Sequence, residues 1–414
     1  MRSTKEHSAV LICVIFLAAF AIRFWGIADD RWYRADDSII VSAATHYTAH
    51  GDFYPDDWLH PPFKYYVLQA SMAVFGDNAY GWRMKNILLG SMTVVAVFLL
   101  ARALFPNPRV AVLSGLFLTI EPLHIMYSST IFEEVSATFF FVLAVTFFIR
   151  HAKKEIASPM PAGIFLGLAF AHKWYYLFAV LVFVVFALIN NYRDGNPGRY
   201  GILQVVSAYA GIPLCIYLLT YYAWMKNGHS IAEFIQMQGD VYRLQQTLDF
   251  DMFVDRFYRA SPFHPADWFI KPLVYGGMTT STGVWGRGMV LMNNPLVWLL
   301  AYPAALFTAY RAAKTRNPHL VFLMVLAASL YLQFALIRRP LYLYSAIVVL
   351  PFVYTMVAYF VVSLIDVRRE RPWLYPGALA LSTGWGLYLY PLVTTRSVPL
   401  FLYEPLFYLG RFFL

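Results

Sequence analysis

Long, mostly apolar runs are the feature that most constrains how this chain can fold. Examples are Val94–Leu104, Phe139–Ile149 and Leu177–Ile189. A bilayer span needs about 20 mostly apolar residues, and lipid offers the backbone no hydrogen-bond partner. The runs lack the alternation of a transmembrane β-strand, so they predict helices. Because only 13% of the residues are charged and 60% are hydrophobic, a water-soluble surface is excluded.

Eleven membrane-spanning helices are predicted from these runs. The fifth and sixth are short and could together form one broken hairpin. The first follows a short basic start without a typical cleavage site, which favours a retained signal-anchor helix over a cleaved signal peptide. The predicted spans are Ser8–Ile27, Trp82–Leu104, Val110–Met126, Ile131–Ile149, Pro161–Ala171, Tyr175–Ile189, Gly201–Trp224, Pro295–Tyr310, Leu320–Ile337, Leu341–Ile365 and Trp373–Val393.

Basic residues are concentrated in every second connection between the predicted spans. Lys153 and Lys154 follow the fourth span, and Arg368 and Arg369 follow the tenth. The positive-inside rule places these connections in the cytoplasm. The N-terminus is therefore predicted to be cytoplasmic and the C-terminus external. The net charge of +9 is explained by this topology, so binding to nucleic acid is not predicted.

Two long external segments divide the predicted bundle. Residues 1–224 are predicted to form an N-terminal transmembrane catalytic module, which includes an acidic first external loop. Residues 225–294 are predicted as an external loop with amphipathic helices, and residues 295–414 as a C-terminal transmembrane module. Within the second segment, Ile231–Tyr258 has helical spacing of apolar residues and could lie along the membrane surface.

No cofactor site is recognisable in the sequence. Cys13 and Cys215 lie inside apolar runs and are interpreted as small buried hydrophobic residues, not as a disulfide or metal pair. A glycine-rich phosphate loop is not present. No metal ligands are predicted, and whether a divalent metal is required stays open.

Acidic side chains near the first external segment are the first candidates for chemistry. Asp36 and Asp37 are adjacent just past the first span, where partial burial and a like-charged neighbour raise a carboxylate pKa. Such a group can accept a proton from a hydroxyl. A solvated loop or a helix cap is the alternative. His60 precedes two prolines, which stiffen the chain and would hold the imidazole in one place.

Two further charged elements are predicted at the external ends of spans. Glu133 and Glu134 open the fourth span, where carboxylates also complement the helix dipole. Lys173 follows a helix whose glycines, Gly163 and Gly167, have the spacing of close helix contacts. Lys173 either extends to the aqueous interface or meets a phosphate there.

A basic pair in a very short external turn departs from the positive-inside pattern. This pair is Arg338–Arg339, and Tyr342 and Tyr344 follow it. Arginine can grip a phosphate with two hydrogen bonds, which is one reason to keep basic residues there. A phosphate-binding role and a purely structural role remain open from the residues alone.

In this order along the chain, these elements resemble the protein O-mannosyltransferase family, within the GT-C class of membrane glycosyltransferases. The resemblance extends over most of the chain, although the second acid of the pair is usually glutamate in the family. The matching elements are Asp36–Asp37, His60–Pro61–Pro62, Arg83, Gly163–Trp174, Trp268 with Pro272–Leu273, Asn294–Trp298, and Arg339 with Tyr342 and Tyr344.

The resemblance implies an all-α integral membrane protein, a GT-C-like bundle of about eleven helices with two external loop segments. It implies inverting transfer of a sugar, mannose being usual, from a polyprenyl- or dolichyl-phosphate carrier to a hydroxyl acceptor, with serine or threonine of proteins as the expected acceptor. Asp36 would be the base, with Asp37 as the alternative. Cations would hold the donor phosphate, and other polar residues would support the acceptor or the active site. The phosphate or lipid contacts would be Arg339, Arg83, Lys173, Tyr342 and Tyr344; the supporting residues would be His60, Glu133 and Glu134.

Two other functions fit the same sequence. A transferase of this class could act on lipid A or a cell-envelope glycan. A lipid-linked-sugar transporter without catalytic activity is the second alternative, which ionisable residues in mid-membrane would favour. The predicted clustering of charged residues at the external mouth favours the enzyme. The compact size suggests a prokaryotic plasma membrane.

Overall fold

We describe a computed structural model of the chain, in which most of the bundle and parts of the second external segment are placed. The described residues are 2–25, 37–54, 57–193, 201–247, 265, 268–269, 274–275, 278–280, 285–288, 291–292, 294, 298–336, 341, 343–368, 370–394 and 396–413.

The N-terminal part of the chain is helical over most of its length. Some of these helices begin where a side chain satisfies backbone donors: the Asn78 side chain accepts hydrogen bonds from two amides at the start of α4, and Glu121 accepts one from Leu123 at the start of α6. The helices are α1 (Arg2–Trp25), α2 (Asp37–His50), α3 (Phe63–Phe75), α4 (Ala79–Leu104), α5 (Pro108–Thr119), α6 (Pro122–Ser128), α7 (Glu133–Ala152), α8 (Met160–Phe170) and α9 (Leu177–Arg193).

The remaining helices include one irregular span and a helix at the C-terminal end. A π-helical turn, Ser207–Gly211, joins α10 to α11, and a 3-10 turn, Trp174–Tyr176, precedes α9. Further 3-10 turns cover Gln333–Leu336 and Leu343–Val348. The helices are α10 (Ile202–Val206), α11 (Ile212–Thr220), α12 (Tyr222–Lys226), α13 (Ile231–Thr247), α14 (Ala301–Thr315), α15 (Pro318–Leu332), α16 (Leu350–Val367), α17 (Leu374–Val393) and α18 (Leu400–Phe413).

Five short strands accompany the helices. β1 pairs antiparallel with β4, and β3 lies between β2 and β5 in a second antiparallel sheet. Trp285 pairs with Pro399, so the strand that precedes the last helix is joined to the second external segment. The strands are β1 (Val274–Tyr275), β2 (Met278–Thr280), β3 (Trp285–Gly288), β4 (Leu291–Met292) and β5 (Val398–Pro399).

The protein is a multi-pass membrane protein, but the predicted count of eleven spans is not confirmed. Each predicted span overlaps a helix among the described residues. Six of those helices are long and apolar enough to cross a bilayer, or seven if the bent pair α5–α6 is one span. Two shorter apolar stretches fall below that length: the apolar part of α1, Ala9–Trp25, and helix α8, Met160–Phe170.

The first external segment is not a simple loop, contrary to the sequence prediction. It contains α2 and α3, which pack against each other, and α3 also contacts α4. Buried aromatic residues on these helices, including Tyr47 and Tyr65, form a small core with Trp224 of α12. The predicted helical stretch of the second segment is confirmed as α13 up to Thr247, and the part from 248 to 258 lies outside the described residues.

The centre of the bundle is formed by α4 and α7. Helix α4 contacts α1, α3, α5 and α7, and α7 also packs against α8. Gly163 lies so close to the backbone oxygen of Ala208 that a side chain would clash, and Gly167 is close to Pro213. The close helix contacts predicted from the glycine spacing are therefore confirmed. The predicted burial of the cysteines is wrong, since Cys13 and Cys215 are exposed on the outside of the bundle.

Polar contacts connect the two halves of the chain. Arg109 and Asn107, at the start of α5, bind Asp366 of α16. Glu121 lies at the 60° bend between α5 and α6 and accepts a hydrogen bond from the Tyr354 hydroxyl. These contacts join the predicted N-terminal and C-terminal modules; the division into those modules stays a prediction.

Candidate active site

A fully buried ion pair connects the first external segment to the second predicted span. Asp37 opens α2, and Arg83 lies in the first turns of α4. Nη2 of Arg83 is 3.0 Å from Oδ2 of Asp37, and its Nε donates a second hydrogen bond to the same oxygen at 3.3 Å. Both side chains have 0% exposure. The solvated-loop alternative is therefore excluded for Asp37.

A second buried cluster is centred on the ammonium group of Lys173. Its Nζ lies 2.7 Å from Oε1 of Glu133 and 3.0 Å from Oε1 of Glu134. Nε2 of His60 is 2.9 Å from the same Nζ and 3.6 Å from the Glu133 carboxylate. Lys173 is buried, so it does not extend to the interface as a solvated lysine would. One cation is thus shared by two carboxylates and an imidazole.

Local structure positions each member of this cluster. Glu133 and Glu134 occupy the first turn of α7, where the helix dipole favours negative charge. Lys173 follows α8 in an extended conformation, with φ −146° and ψ 123°, which brings its backbone out of the helix. His60 precedes Pro61 and Pro62, and α3 begins at the next residue, so the imidazole is held at a fixed entry to that helix.

Two more lysines lie close to these clusters. Nζ of Lys64 binds both carboxylate oxygens of Asp57, at 2.6 and 2.7 Å. Lys85 donates to the carbonyl oxygen of Ile131 at 2.8 Å and to Oδ1 of Asn86 at 2.9 Å. Asn86 in turn donates to the carbonyl oxygens of Thr130 and Phe132, so α4 fixes the turn that leads into Glu133.

Lys85 links the two ion-pair clusters electrostatically, because it lies within interaction range of Asp37, Glu133 and Glu134. The described part of the site thus contains four carboxylates and four cations, besides His60. The carboxylates are Asp37, Asp57, Glu133 and Glu134, and the cations are Lys64, Arg83, Lys85 and Lys173.

The carboxylates keep the neighbouring lysines charged in spite of burial. Burial alone would lower the pKa of Lys173, but Glu133 and Glu134 outweigh it, so the pKa of Lys173 is raised above its usual value. Burial likewise opposes the charge on Lys64, and the Asp57 carboxylate raises the pKa of Lys64. Both lysines are therefore ammonium ions at neutral pH.

The structure brings together six of the ten predicted site residues in these two clusters. They are Asp37, Arg83, His60, Glu133, Glu134 and Lys173. A seventh, Tyr344, packs its ring against Tyr127 and Phe132, beside the turn that enters α7, and lies within electrostatic range of Lys173. The predicted residues Asp36, Arg339 and Tyr342 lie outside the described residues.

Sequence reasoning missed four polar residues of the site, which are Asp57, Lys64, Lys85 and Asn86. Lys64, Lys85 and Asn86 are each buried beside the predicted residues. Lys85 carried a usable signal, because an ionisable residue within an apolar span is rare and normally has a functional reason. Asn86 had no such signal, since its role is to hold a turn that lies 44–46 residues away in the sequence.

Metal-binding residues do not group together in the part of the chain that the structure describes. There, no cluster of three or more His, Cys, Asp or Glu side chains has the arrangement to hold an ion. The carboxylates of the site face lysines and an arginine instead.

Comparison with known proteins places this geometry in a family context. The family described as dolichyl-phosphate-mannose-protein mannosyltransferase matches residues 59–224. A polyprenol-phosphate-mannose–protein mannosyltransferase of Mycobacterium tuberculosis is 23% identical over 354 residues, which cover 71% of this chain and 68% of the relative. The chain is related to the protein O-mannosyltransferases. The matched region contains His60, Arg83, Glu133, Glu134 and Lys173.

Solved structures show that this relative of the mannosyltransferases has the GT-C fold. The Saccharomyces cerevisiae protein O-mannosyltransferase Pmt1–Pmt2 complex bound to the sugar donor matches with a TM-score of 0.75 at 12% identity, covering 96% of this chain and 91% of that one. The structure of ArnT from Cupriavidus metallidurans bound to undecaprenyl phosphate matches with a TM-score of 0.60 at 14% identity, covering 98% and 76%. The predicted fold class is thereby confirmed, apart from the helix count.

Proposed function

We propose that this protein transfers mannose from a polyprenyl- or dolichyl-phosphate carrier to a hydroxyl group, with serine or threonine of a protein as acceptor. The observation that carries the proposal is the buried cluster of carboxylates and cations on α2, α4 and α7, in a GT-C fold. The names of the mycobacterial relative and of the matching family support mannose and a protein acceptor.

The proposed reaction is a single displacement with inversion. The acceptor oxygen attacks the anomeric carbon of the sugar, and its proton passes to a carboxylate. The bond between the anomeric carbon and the phosphate oxygen breaks, and polyprenyl phosphate leaves with the electron pair. Asp36 is proposed as the base, because its neighbour Asp37 is occupied by Arg83. Asp37 remains the alternative base.

The donor phosphate is proposed to lie against Arg339. The two other predicted phosphate contacts are already paired: Arg83 with Asp37, and Lys173 with two glutamates. The positive-inside pattern gives no reason for an arginine in a short turn that is predicted to be external. A phosphate contact would supply that reason, which supports Arg339 as the principal contact. Arg83 and Lys173, whose charges are balanced by carboxylates, then help to position the site, while Tyr342 and Tyr344 border the lipid-linked donor.

The supporting residues are proposed to hold other groups of the site in place and not to take part in bond formation. His60 and Glu133 hold Lys173, and Glu134 supplies the second carboxylate of that cluster. A buried lysine between two carboxylates keeps a fixed place, because moving it would leave unpaired charges in a medium of low polarity. A preorganised site of this kind needs little rearrangement as charge moves to the leaving phosphate.

The proposed location is a prokaryotic plasma membrane, with the N-terminus in the cytoplasm and the active site on the external face. This orientation follows from the alternation of basic connections. Polyprenyl-phosphate sugar, a protein or glycan acceptor and the bilayer are the proposed partners.

The test is an assay of purified protein in proteoliposomes with polyprenyl-phosphate-mannose and a Ser/Thr-containing peptide. Mannosylated peptide is expected with the wild type and not with Asp36→Asn. A second arm supplies lipid A as acceptor, since the match to ArnT makes a glycolipid acceptor the second candidate. Donor that crosses the bilayer without any loss of mannose would contradict the transferase and support a transporter.

A further inference from the structure

A cavity with both apolar and polar walls lies at the other end of the bundle, away from the charged clusters. It has a volume of about 50 Å³ and is bordered by the end of α7, the end of α9 and the start of α10. A volume of roughly 10–15 Å³ suffices for one water, so several heavy atoms fit. His151, Lys154, Asn190, Asn191 and Gln204 contribute polar groups to its wall.

The described residues that line this cavity have positive or neutral side chains. They include a lysine, a histidine and three side-chain amides, and no aspartate or glutamate. Ammonium and amide groups donate hydrogen bonds, and a phosphate oxygen accepts them. Phe148, Ala187 and Val205 supply an apolar floor. The combination fits a phosphate group that is attached to an apolar molecule better than a free, fully hydrated ion.

The backbone at Lys154 gives an independent indication. Helix α7 ends in a Schellman motif, in which the amide of Glu155 binds the Arg150 carbonyl oxygen and the amide of Lys154 binds that of His151. Lys154 occupies the left-handed position of this motif, with φ 63°. Glycine is the residue that this position favours, because it has no Cβ to clash. A lysine held there at a conformational cost is expected to have a use for its side chain.

A second irregularity lies in the same wall. Tyr209 borders the cavity and belongs to the π-helical turn Ser207–Gly211, a form of helix that is rare and frequent at functional sites. The C-terminal ends of α7 and α9 oppose an anion through their dipoles. The positive charges of Lys154 and of the basic residues around it offset the partial negative charge at those helix ends.

We propose that this cavity binds the phosphate group of an anionic glycerophospholipid. The positive-inside pattern predicts that the end of α7 faces the cytoplasm, where basic pockets between helices bind anionic lipid headgroups. Inorganic phosphate shares the same chemistry, and the experiment separates the two sources. The proposal does not depend on the transferase activity, because the cavity is formed at the opposite ends of α7 and α9 from Glu133 and Lys173.

The chain offers a matched control for the test. Arg316 closes α14 with φ 51° and is, with Lys154, one of the two non-glycine residues with positive φ among those described. Both are exposed cations at the C-terminal ends of helices, and only Lys154 lines the cavity. Lys154→Gly and Arg316→Gly therefore make the same change in charge and backbone strain at two sites.

The experiment measures retained lipid by native mass spectrometry after exchange into vesicles of phosphatidylglycerol or phosphatidylcholine. The wild type is expected to retain phosphatidylglycerol preferentially. Lys154→Gly should reduce that retention at least fivefold while leaving the unfolding temperature unchanged or raised, and Arg316→Gly should retain lipid like the wild type. Asn190→Leu, in the part of the wall that α9 forms, should also reduce retention.

Four outcomes would decide the matter. Equal retention in Lys154→Gly and wild type would overturn the proposal, as would equal losses in Lys154→Gly and Arg316→Gly. Displacement of phosphatidylglycerol by millimolar inorganic phosphate would support the phosphate site but assign the free ion as a competing ligand. Retention that millimolar phosphate does not affect supports the lipid as the ligand.

Discussion

Asp37 and Arg83 form an ion pair 3.0 Å long in which neither side chain is exposed. The pair joins the first turn of α2 to the first turns of α4 and thereby fixes the chain next to Asp36. Breaking a buried ion pair lowers the free energy of unfolding more than breaking a surface pair does, because the remaining charge stays desolvated. This relationship separates the two adjacent aspartates, which the sequence could not distinguish.

The first prediction follows from that separation. Asp37→Asn should destabilise the protein by about 3–5 kcal/mol, because it leaves Arg83 buried without its carboxylate. Asp36→Asn should leave the unfolding temperature within a degree or two and cut turnover about 10²–10⁴-fold. Thermal unfolding in detergent and a mannosyl-transfer assay measure the two effects. If Asp37→Asn is stable and inactive while Asp36→Asn is active, the roles must be exchanged.

The second prediction concerns Lys173. Lys173→Met should leave two adjacent buried carboxylates without their shared cation, at a cost of about 3–5 kcal/mol in stability. A raised lysine pKa means that this contribution is complete below the unfolded-state pKa of about 10.4 and is lost only as pH rises through the higher folded-state value. The stability difference between wild type and Lys173→Met should therefore not fall between pH 6 and about 9. A difference that falls across that range would contradict the assignment.

The third prediction tests the donor phosphate contact. Arg339→Ala should lower the rate with polyprenyl-phosphate-mannose by about 10²–10³-fold, because a charge-assisted contact to the leaving phosphate is removed. Arg339→Lys should recover only part, since lysine does not form the bidentate contact. Arg338→Ala, one residue away, is the control and should keep most of the activity. Wild-type donor kinetics in Arg339→Ala would refute the contact.

The fourth prediction concerns orientation. Ser158 and Ser397 are exposed, and they lie in connections predicted to face opposite sides of the membrane. In a background with Cys13→Ser and Cys215→Ser, an impermeant thiol reagent applied to intact cells should label Ser397→Cys and not Ser158→Cys. The reverse pattern would invert the topology and place the charged clusters on the cytoplasmic side.

A fifth prediction uses the close contact between α8 and the π-helical turn. Gly163→Ala should destabilise the protein by about 1–3 kcal/mol, because even a Cβ there clashes with the Ala208 carbonyl oxygen. Gly384, in α17, has no neighbour within 4 Å of an added Cβ, so Gly384→Ala is the matched control. It should be neutral or stabilising by up to about 1 kcal/mol. Similar losses in both variants would show that the contact is not specific.

The parts of the fold that the sequence predicted are those governed by local composition. Apolar runs predicted where helices such as α4, α7 and α16 lie, because burial in lipid needs a continuous apolar segment. The helices α2 and α3 were missed, because each is short and mixed in polarity. Their stability comes from contacts with residues such as Trp224, more than a hundred positions away.

The sequence predicted which residues form the site better than it predicted which of them pair with each other. The residue types and their order indicated Asp37, His60, Glu133 and Lys173 as candidates, and the structure groups them. Which carboxylate meets which cation depends on how α4, α7 and α8 pack, and no local pattern records that. Lys173 was expected to meet a phosphate, yet its nearest anions are two glutamates of the protein itself.

The bend between α5 and α6 has a consequence for how the chain is made. Glu121 stands at that bend, fully buried, and the Tyr354 hydroxyl that binds it is 233 residues later in the sequence, with Trp298 donating to the same hydroxyl at 2.9 Å. During synthesis this segment therefore enters the bilayer long before its carboxylate can gain those partners. Insertion and final folding are consequently separate events for this segment, and the second can be completed only after the ribosome has produced α16.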